Sequence, residues 1–305
     1  MAEYKNLSTA RGNWLGVGFF KLFTRILGVK HACRFVWFVT FFYVLFDRTA
    51  EQAASFYLKQ NFPKAGWLMR RLHFYRLITS QGQMLILSYW FGTGKQLPII
   101  EENAETLREL LKDKSKGLVL VASHFGCWQT VLSHLASFDR KINLLVQIDP
   151  ESPVDKRFAI SEIKEQITYI DIQSFSGGLL ESMDAVNRGE IVCIMGDRPT
   201  SSGTVPMDFL GAPVDFPLSP WLIAARCHCP AVPFFTAVKG TADAIFFKFG
   251  NPIYVNCAQD RKPNPKELQP AMKEYIAALE EMIQLFPYQM FYFNLEQDLS
   301  QNLSK

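Results

Sequence analysis

The chain has 305 residues, with 32 Lys and Arg against 29 Asp and Glu, and its formal net charge is +3. This length suffices for one large α/β domain or for two smaller domains, and either can bury an ample core. The positive excess is too small for a nucleic-acid groove, so we expect no nucleic-acid partner.

The N-terminal part of the chain is rich in aromatic residues. Its first ten residues, MAEYKNLSTA, are polar, so no cleavable signal peptide is predicted. Residues 35–46, FVWFVTFFYVLF, are uncharged but shorter than the roughly 20 residues that a simple spanning helix needs. Several cations precede this run: Lys21, Arg25, Lys30, His31 and Arg34. The order is typical of a segment in the interface of an anionic bilayer, and a buried core helix is an equally good interpretation.

Residues 11–90 have few Gly and Pro, and their apolar residues recur at three- and four-residue spacings. This pattern predicts three or four helices with a turn near NFPKAG. A further amphipathic helix is predicted over residues 103–112, with Leu107, Leu110 and Leu111 on its apolar face. We therefore predict an N-terminal helical, membrane-associating region over residues 1–95 and an α/β region over residues 96–305, forming one continuous domain.

Five short apolar runs predict buried strands in the second region. They are GLVLVAS (117–123), KINLLVQ (141–147), EIVCIMG (190–196), CPAVPFFTAV (229–238) and AIFFKFG (244–250). Helical patterns lie among them or after them, at 130–137, 158–165, 178–188, 220–226 and 265–285. This alternation predicts an α/β fold with a central, largely parallel or mixed sheet flanked by helices.

The six cysteines are scattered through apolar stretches, which is typical of reduced, buried thiols in the cytosol. They are Cys33, Cys127, Cys193, Cys227, Cys229 and Cys257. The run Cys227-His228-Cys229 contains zinc-ligand types, but no second Cys or His cluster completes a four-ligand site. We therefore predict small core residues here and no metal.

Polar residues follow two of the predicted strands. His124 follows GLVLVAS, and Asp197 and Arg198 follow EIVCIMG. Ligands of open α/β sheets gather beyond the carboxyl ends of strands, so these residues are candidates for one cleft. His124, with Gly126 and a helix after it, suits a general base, and a helix-capping histidine is the alternative. An internal ion pair of Arg198 with Asp197 or Asp208 is a competing interpretation of the second site.

Three segments of the chain, in order, resemble one known family. SHFGCWQ (123–129) resembles the HxGNWE block, with its His-x4-acid motif, of the bacterial lipid A late acyltransferases in the lysophospholipid acyltransferase superfamily. Residues 196–235, from GDRP to VPFF, resemble the second block of that family, and FPYQMFYFN (286–294) is similar to its hPeqWfw signature. The N-terminal RGNWLGVGFFKLF is similar to the family's membrane-associating segment.

This resemblance implies an acyltransferase at the cytoplasmic face of the inner membrane. Its acyl donor would be acyl carrier protein or coenzyme A, and its acceptor a hydroxyl or amine of a lipid or lipid-linked molecule; no cofactor is implied. The resemblance makes His124 the general base and gives Asp197, Arg198, Gly126 and Gly203 substrate-binding roles. Arginine suits a donor or acceptor phosphate because its planar guanidinium can donate two hydrogen bonds to one anion. Lipid A, an aminolipid, a glycolipid and a polyene-type lipid are all compatible acceptors.

The chain departs from the family motif at Gln129, where Glu or Asp is usual. A carboxylate would orient the imidazole of His124 and stabilise the imidazolium formed during attack, whereas an amide only accepts the hydrogen bond. We predict that Gln129 is a catalytic-site residue that steadies the ring, and Asp197 is a candidate to supply the missing charge. Gln129 also motivates an alternative, a catalytically degenerate lipid- or acyl-binding protein of the same fold.

Other residues near the motif receive structural interpretations. Cys127 lies close to a histidine, but the resemblance places a non-nucleophilic Asn there and direct transfer needs no acyl-enzyme. Trp128 is predicted to pack its helix onto the sheet. His134 and His228 are expected to be structural. A serine lipase or thioesterase ranks last because the sequence contains no G-x-S-x-G elbow.

Overall fold

The computed structural model describes residues 14–46, 48–128, 134, 138–147, 166–174, 176–198, 203–257 and 263–291, and for residues 14–17 and 48 the backbone alone. The helices in this part of the chain are α1 (Trp14–Leu27), α2 (Val29–Phe46), α3 (Arg48–Asn61), α4 (Trp67–Phe91), α5 (Ala104–Lys112), α6 (Leu179–Asn187), α7 (Ser219–Cys227) and α8 (Pro265–Leu285). The strands are β1 (Ile99–Glu102), β2 (Leu118–Ala122), β3 (Ile142–Val146), β4 (Ile167–Asp171), β5 (Ile191–Met195), β6 (Thr204–Phe209), β7 (Ala212–Pro217), β8 (Ala231–Lys239) and β9 (Ala244–Phe249).

Seven strands form one sheet in the order β1-β9-β8-β2-β5-β3-β4. Neighbouring strands are parallel except β8 and β9, so β9 and β1 run opposite to the other five. Strands β6 and β7 form a separate antiparallel hairpin. The predicted α/β fold with a largely parallel sheet is therefore confirmed.

The sheet is covered on both faces. Val119 and Val121 of β2 belong to a core that includes residues of α6, α7 and α8, whereas Leu118 and Leu120 face a core built with α2, α4 and α5. All five residues of β2 are buried, as a strand between two layers of helices requires. The last helix, α8, begins at a capping box in which Asn264 and Glu267 satisfy each other's backbone amides.

The N-terminal region contains the four helices α1 to α4, with the turn between α3 and α4 where NFPKAG predicts it. Helix α2 is, within the described residues, the one helix long and apolar enough to cross a membrane by length and composition. One side of α2 packs against α4, through residues that include Val36 and Thr40, and its other side is exposed. The exposed side of α2 does not fit the interpretation of this segment as a buried core helix.

The five predicted strands form, at 118–122, 142–146, 191–195, 231–239 and 244–249. Strands β1 and β4 and the hairpin of β6 and β7 were not predicted from the sequence. The predicted helices at 103–112, 178–188, 220–226 and 265–285 correspond to α5, α6, α7 and α8. The predicted helix at 158–165 lies outside the described residues. Within the predicted helix at 130–137, residue 134 alone is described, and it is helical.

Candidate active site

The candidate site is built where two neighbouring parallel strands end. The last residues of β2 and β5, Ala122 and Met195, are paired across the sheet, and two residues beyond each of them come His124 and Asp197. Nδ1 of His124 lies 3.0 Å from Oδ1 and 3.2 Å from Oδ2 of Asp197, and the backbone amide of His124 donates to Oδ2 at 3.0 Å. The strand register thus brings together two residues that are 73 positions apart.

The charge on Asp197 determines which ring nitrogen of His124 carries the proton. Asp197 is fully buried, and burial opposes ionisation, but the charge of His124, the hydrogen bonds from it and the charge of Arg198 outweigh burial, so the pKa of Asp197 lies below its usual range. An ionised carboxylate only accepts hydrogen bonds, so Nδ1 of His124 must donate and carry the proton. In a neutral ring, Nε2 then keeps its lone pair. The His124 side chain is 22 % exposed, so the protein covers it only in part.

A glycine lets Asp197 reach His124. A Cβ on Gly196 would lie 2.4 Å from Cγ1 of Val121 and 3.0 Å from the ring of Tyr275. The amide of Gly196 and the hydroxyl of Tyr275 both donate to the carbonyl of Ala122, at 2.8 and 2.9 Å. The chain therefore passes between β2 and α8 only because residue 196 has no side chain.

Gly126 has an equally strict backbone role. Its φ is +56°, and an added Cβ would lie 2.0 Å from the carbonyl oxygen of Thr236 on β8. Its amide donates to the carbonyl of Gln289 at 2.7 Å, so this donor is satisfied within the protein. The hydroxyl of Thr236 donates to the carbonyl of Phe125 at 3.1 Å. Gly126 therefore contributes through close packing of the His124 loop on β8.

The C-terminal strap, residues 287–291, holds both halves of the site. The amide of Phe291 donates to the carbonyl of His124 at 3.1 Å, and Nη2 of Arg198 donates to the carbonyl of Phe291 at 2.5 Å. Met290 forms an antiparallel bridge with Phe125. The strap thus joins the segment after β2 to the segment after β5.

Gln289 anchors this strap to β8. Its side-chain amide donates to the carbonyl of Val238 and accepts from the amide of Val238, both at 2.8 Å. Strand β8 runs past the last residue that it pairs with β2, Pro233, so the side chain of Gln289 satisfies backbone groups that β2 does not reach. The same residue accepts from Gly126 through its carbonyl.

The remaining predicted site residues are Arg198, Gly203 and Gln129. Arg198 is held by Phe291, and its positive charge contributes to the low pKa of Asp197; an ion pair of Arg198 with Asp197 or Asp208 stays a prediction. Gly203, with a φ of +95°, lies just before β6, and its carbonyl accepts from the amide of Leu218 at 3.0 Å; the described contacts do not join it to His124. Gln129 lies outside the described residues.

The neighbouring Cys and His residues fit their structural interpretations. Cys127 is fully buried, and the ring of Trp128 meets the ring of His124 edge-on, with centroids 5.4 Å apart. His134 stacks on Phe247 at 4.3 Å, and its Nε2 lies 2.6 Å from Oε1 of Glu101. No cluster of metal ligands occurs in the part of the chain that the structure describes.

Sequence reasoning missed three contributors to the site: Tyr275, Gln289 and the backbone of Phe291. The last two lie in FPYQMFYFN, so the resemblance of that block was the available signal for them. Tyr275 lies within the amphipathic pattern of α8, where nothing distinguishes it from an ordinary core residue.

Comparison with known proteins gives a consistent result. No curated protein matches the chain. The family model described as bacterial lipid A biosynthesis acyltransferase matches residues 3–294, a range that includes His124, Asp197 and the strap. The chain therefore belongs to the bacterial lipid A biosynthesis acyltransferase family.

Proposed function

We propose that the chain transfers a fatty acyl group from an acyl thioester to a hydroxyl or amine of a lipid or lipid-linked acceptor, with His124 as the general base. The observation that carries this proposal is the contact between Nδ1 of His124 and the buried Asp197 carboxylate, which assigns the proton to Nδ1 and leaves Nε2 as the proton-accepting nitrogen of a side chain that is 22 % exposed. A base needs this tautomer to accept a proton from an acceptor group.

The reaction follows from this arrangement. The acceptor gives its proton to Nε2 of His124 as its oxygen or nitrogen attacks the thioester carbonyl carbon. The carbon–sulfur bond of the resulting tetrahedral oxyanion then breaks, and the thiolate leaves with the proton that His124 holds. The products are an ester or amide of the acceptor and a free thiol, and the enzyme is unchanged.

Asp197 supplies the charge that Gln129 lacks. When His124 becomes an imidazolium, the buried carboxylate at 3.0 Å stabilises it, and the second oxygen holds the ring in place through the backbone amide. In this proposal Gln129 steadies the ring as a neutral acceptor. Arg198 carries the positive charge nearest to Asp197 along the chain and is assigned to an anionic group of donor or acceptor, with Gly126 and Gly203 shaping the loops on either side.

The site of action is proposed to be the cytoplasmic face of the inner membrane, with acyl carrier protein or coenzyme A as donor. The family assignment implies a thioester donor and a lipid acceptor, and the apolar α2 supports a membrane location. Acyl carrier protein and coenzyme A both end in a thiol that leaves in the same step, so the donors are distinguished by assaying each separately.

The test compares acyl transfer by wild type and by His124→Ala. The acceptor is a lipid extract from cells that lack this protein, and the donors, assayed separately, are acyl carrier protein and coenzyme A that carry a labelled acyl group. We expect a loss of about 10²- to 10⁴-fold, the usual contribution of a positioned general base. His228→Asn is the matched control, because His228 is exposed at the end of α7 with a φ of +48° that Asn tolerates. Unchanged transfer by His124→Ala would eliminate the proposed base.

The degenerate binding protein remains a second candidate because of Gln129 alone. Gln129→Glu separates the two functions. A nearly silent wild type that gains a large turnover from this substitution favours the binding protein, whereas robust wild-type turnover rules it out.

A further inference from the structure

The N-terminal helices present a continuous apolar surface that the other described residues do not cover. We call it the aromatic face and define it by exposed residues of α1, α2 and the start of α4: Phe19, Leu22, Ile26, Trp37, Phe38, Phe41, Phe42, Tyr43, Leu45, Phe46, Trp67, Leu68, Met69 and Leu72. Phe46 and Trp67 are 81 % and 75 % exposed. Exposed apolar area of this extent marks a binding surface.

Ring contacts show that the aromatic face is continuous across helices. Phe19 of α1 meets Phe35 of α2 at 5.8 Å, and Phe35 meets Phe38 at 5.7 Å. The series continues through Phe42 at 5.2 Å and Phe41 at 5.7 Å to Tyr75 of α4 at 6.3 Å. Nη2 of Arg71 donates to the carbonyl of Val44 at 2.8 Å, which places the start of α4 beside the end of α2.

Helix α2 is attached to the protein along its whole length. Its two ends are held by an ion pair between Lys30 and Asp243 of the β8–β9 turn, at 2.6 Å, and by the bond from Arg71 to Val44. Between these ends, Gln83 donates to the carbonyl of Cys33 at 3.0 Å, and the hydroxyls of Thr40 and Thr79 lie 2.7 Å apart. The buried side of α2, which includes Cys33, Val36 and Thr40, is thus held against the protein.

This attachment argues against a helix that crosses the bilayer. The 18 residues of α2 span about 27 Å, close to the roughly 30 Å of the hydrocarbon layer, so length alone permits crossing. Crossing would also carry α4 into the hydrocarbon, with Arg70, Arg71 and Arg76 on it. An arginine side chain at the bilayer centre is energetically costly. An orientation in the plane of the membrane avoids this cost.

The charge distribution indicates an anionic membrane as the partner. Residues 14–91 contain ten Lys and Arg but two Asp and Glu, a net charge of +8, and the whole chain carries +3, so the remainder carries −5. Exposed cations lie near both ends of the aromatic face, at Arg25 and Arg34 and at Lys64 and Arg70. Aromatic rings at headgroup depth with cations beside them are the pattern of an interfacial segment on anionic lipid.

We infer that the chain is a monotopic membrane protein, with α1, α2 and the first turn of α4 lying in the plane of one leaflet and the aromatic face buried in it. Trp67 and its neighbours form a second insertion point beside the end of α2. The inference rests on the membrane location in the proposed function, specifies how the protein lies there, and does not depend on catalysis.

The orientation of α2 is tested by depth measurements on the full chain. Cysteine reporters replace Phe38, Phe42 and Phe46 one at a time, at positions on successive turns. The background has serine at the partly exposed Cys227 and Cys257 and keeps the four buried cysteines. Each reporter carries a fluorophore that spin-labelled lipids quench at defined depths, in vesicles containing phosphatidylglycerol. We expect three similar, shallow depths. A graded series with steps of about 6 Å, the rise of four helical residues, or no quenching by lipid, would overturn the inference.

A second measurement tests the insertion point. Trp67→Asp is expected to lower binding to phosphatidylglycerol-containing vesicles about tenfold or more, since a buried large apolar side chain contributes roughly 1.5–3 kcal/mol. Leu180→Asp is the matched control, because Leu180 is 62 % exposed on α6, far from the aromatic face in the chain, and should bind as wild type. Equal binding by both variants would overturn the role of Trp67. Repeating both measurements with His124→Ala separates a failed membrane model from a failed catalytic model.

Discussion

In most proteins charged side chains are exposed and large apolar side chains are buried. The carboxyl edge of the sheet and the helical layer, which is formed by helices α1 to α4, depart from this pattern in opposite ways. At the sheet edge a carboxylate, Asp197, is fully buried, whereas in the helical layer Phe46 is 81 % exposed. A buried charge needs partners, and Asp197 finds them in His124 and Arg198 within the chain. An exposed aromatic surface also needs a partner, and the described part of the chain does not supply one. The first departure therefore indicates chemistry and the second indicates a membrane.

The two regions are joined by the C-terminal strap. The hydroxyl of Tyr57 on α3 donates to the carbonyl of Pro287 at 2.6 Å, and Nδ1 of His73 on α4 lies 2.8 Å from the hydroxyl of Tyr288. The next residues of the strap bind the His124 loop. A short, hydrogen-bonded path thus joins the helical layer proposed to lie on the membrane to His124, the proposed base.

The largest expected effect at the sheet edge comes from Gly126→Ala. The new Cβ would lie 2.0 Å from the carbonyl of Thr236 at a φ of +56°, so the loop must move or the fold must open. We expect a loss of about 3 kcal/mol or more in the free energy of unfolding, measured by denaturant titration.

Gly211→Ala is the control for this change. Gly211 also has a positive φ, +78°, but an added Cβ meets nothing within 4 Å, so backbone strain alone remains, about 1 kcal/mol. Equal losses for the two variants would show that the packing of the His124 loop on β8 is unimportant.

Gln289→Leu is expected to have an intermediate effect. It removes two hydrogen bonds at 2.8 Å and leaves the amide and carbonyl of Val238 unpaired, which costs roughly 2 kcal/mol. Because the same residue supports the His124 loop, kcat should fall about 10- to 100-fold while KM changes little. Tyr288→Phe keeps the strap but loses the hydrogen bonds of its hydroxyl with His73 and Arg76, so its kcat should stay close to wild type. A normal kcat in Gln289→Leu would remove the strap from the account of the site.

The pH dependence of stability isolates Asp197. Its folded-state pKa is depressed below the unfolded value of about 4, so its contribution to stability is present above that pH and is lost as pH falls through the folded pKa. Asp197→Asn lacks this contribution. The difference in unfolding free energy between wild type and this variant should therefore shrink as pH falls below about 4. A difference that stays constant from pH 7 to pH 3 would mean that the carboxylate gains nothing from His124.

The smallest effect is expected in the helical layer. The ion pair of Lys30 and Asp243 is half exposed at both partners, and such pairs contribute about 0–1 kcal/mol. Lys30→Ala should therefore change the melting temperature by no more than a few degrees. A large loss of stability would contradict the view that apolar packing against α4 holds α2 in place.

The fold was predictable where a strand is buried on both faces. The apolar run of β2 differs from its surroundings because all five residues are buried, and the same holds for most of β5 and β8. Strand β1 was missed because it is mostly exposed and its partner, β9, lies far along the chain. The β6–β7 hairpin was missed because Leu210 and Gly211 take the positive φ values of its turn without an Asn-Gly signal.

The site was predictable in part. Strand ends identified His124 and Asp197 as residues of one edge, since parallel strands end on the same side. Their direct contact depends on β2 and β5 being neighbours, and strand order is set by the packing of the whole sheet. Phe291 was not predictable as a contributor because it acts through its backbone, which any residue type supplies.

The central claim is that a buried carboxylate, Asp197, and not the amide of Gln129, supplies the charge that His124 needs. Single-turnover acyl transfer by folded Asp197→Asn and Gln129→Ala tests it most directly. The account predicts a fall of about 10³- to 10⁴-fold for Asp197→Asn, the scale seen when the acid of a serine protease triad becomes an amide, and a fall of about tenfold or less for Gln129→Ala. A nearly normal rate in Asp197→Asn together with a large loss in Gln129→Ala would contradict it.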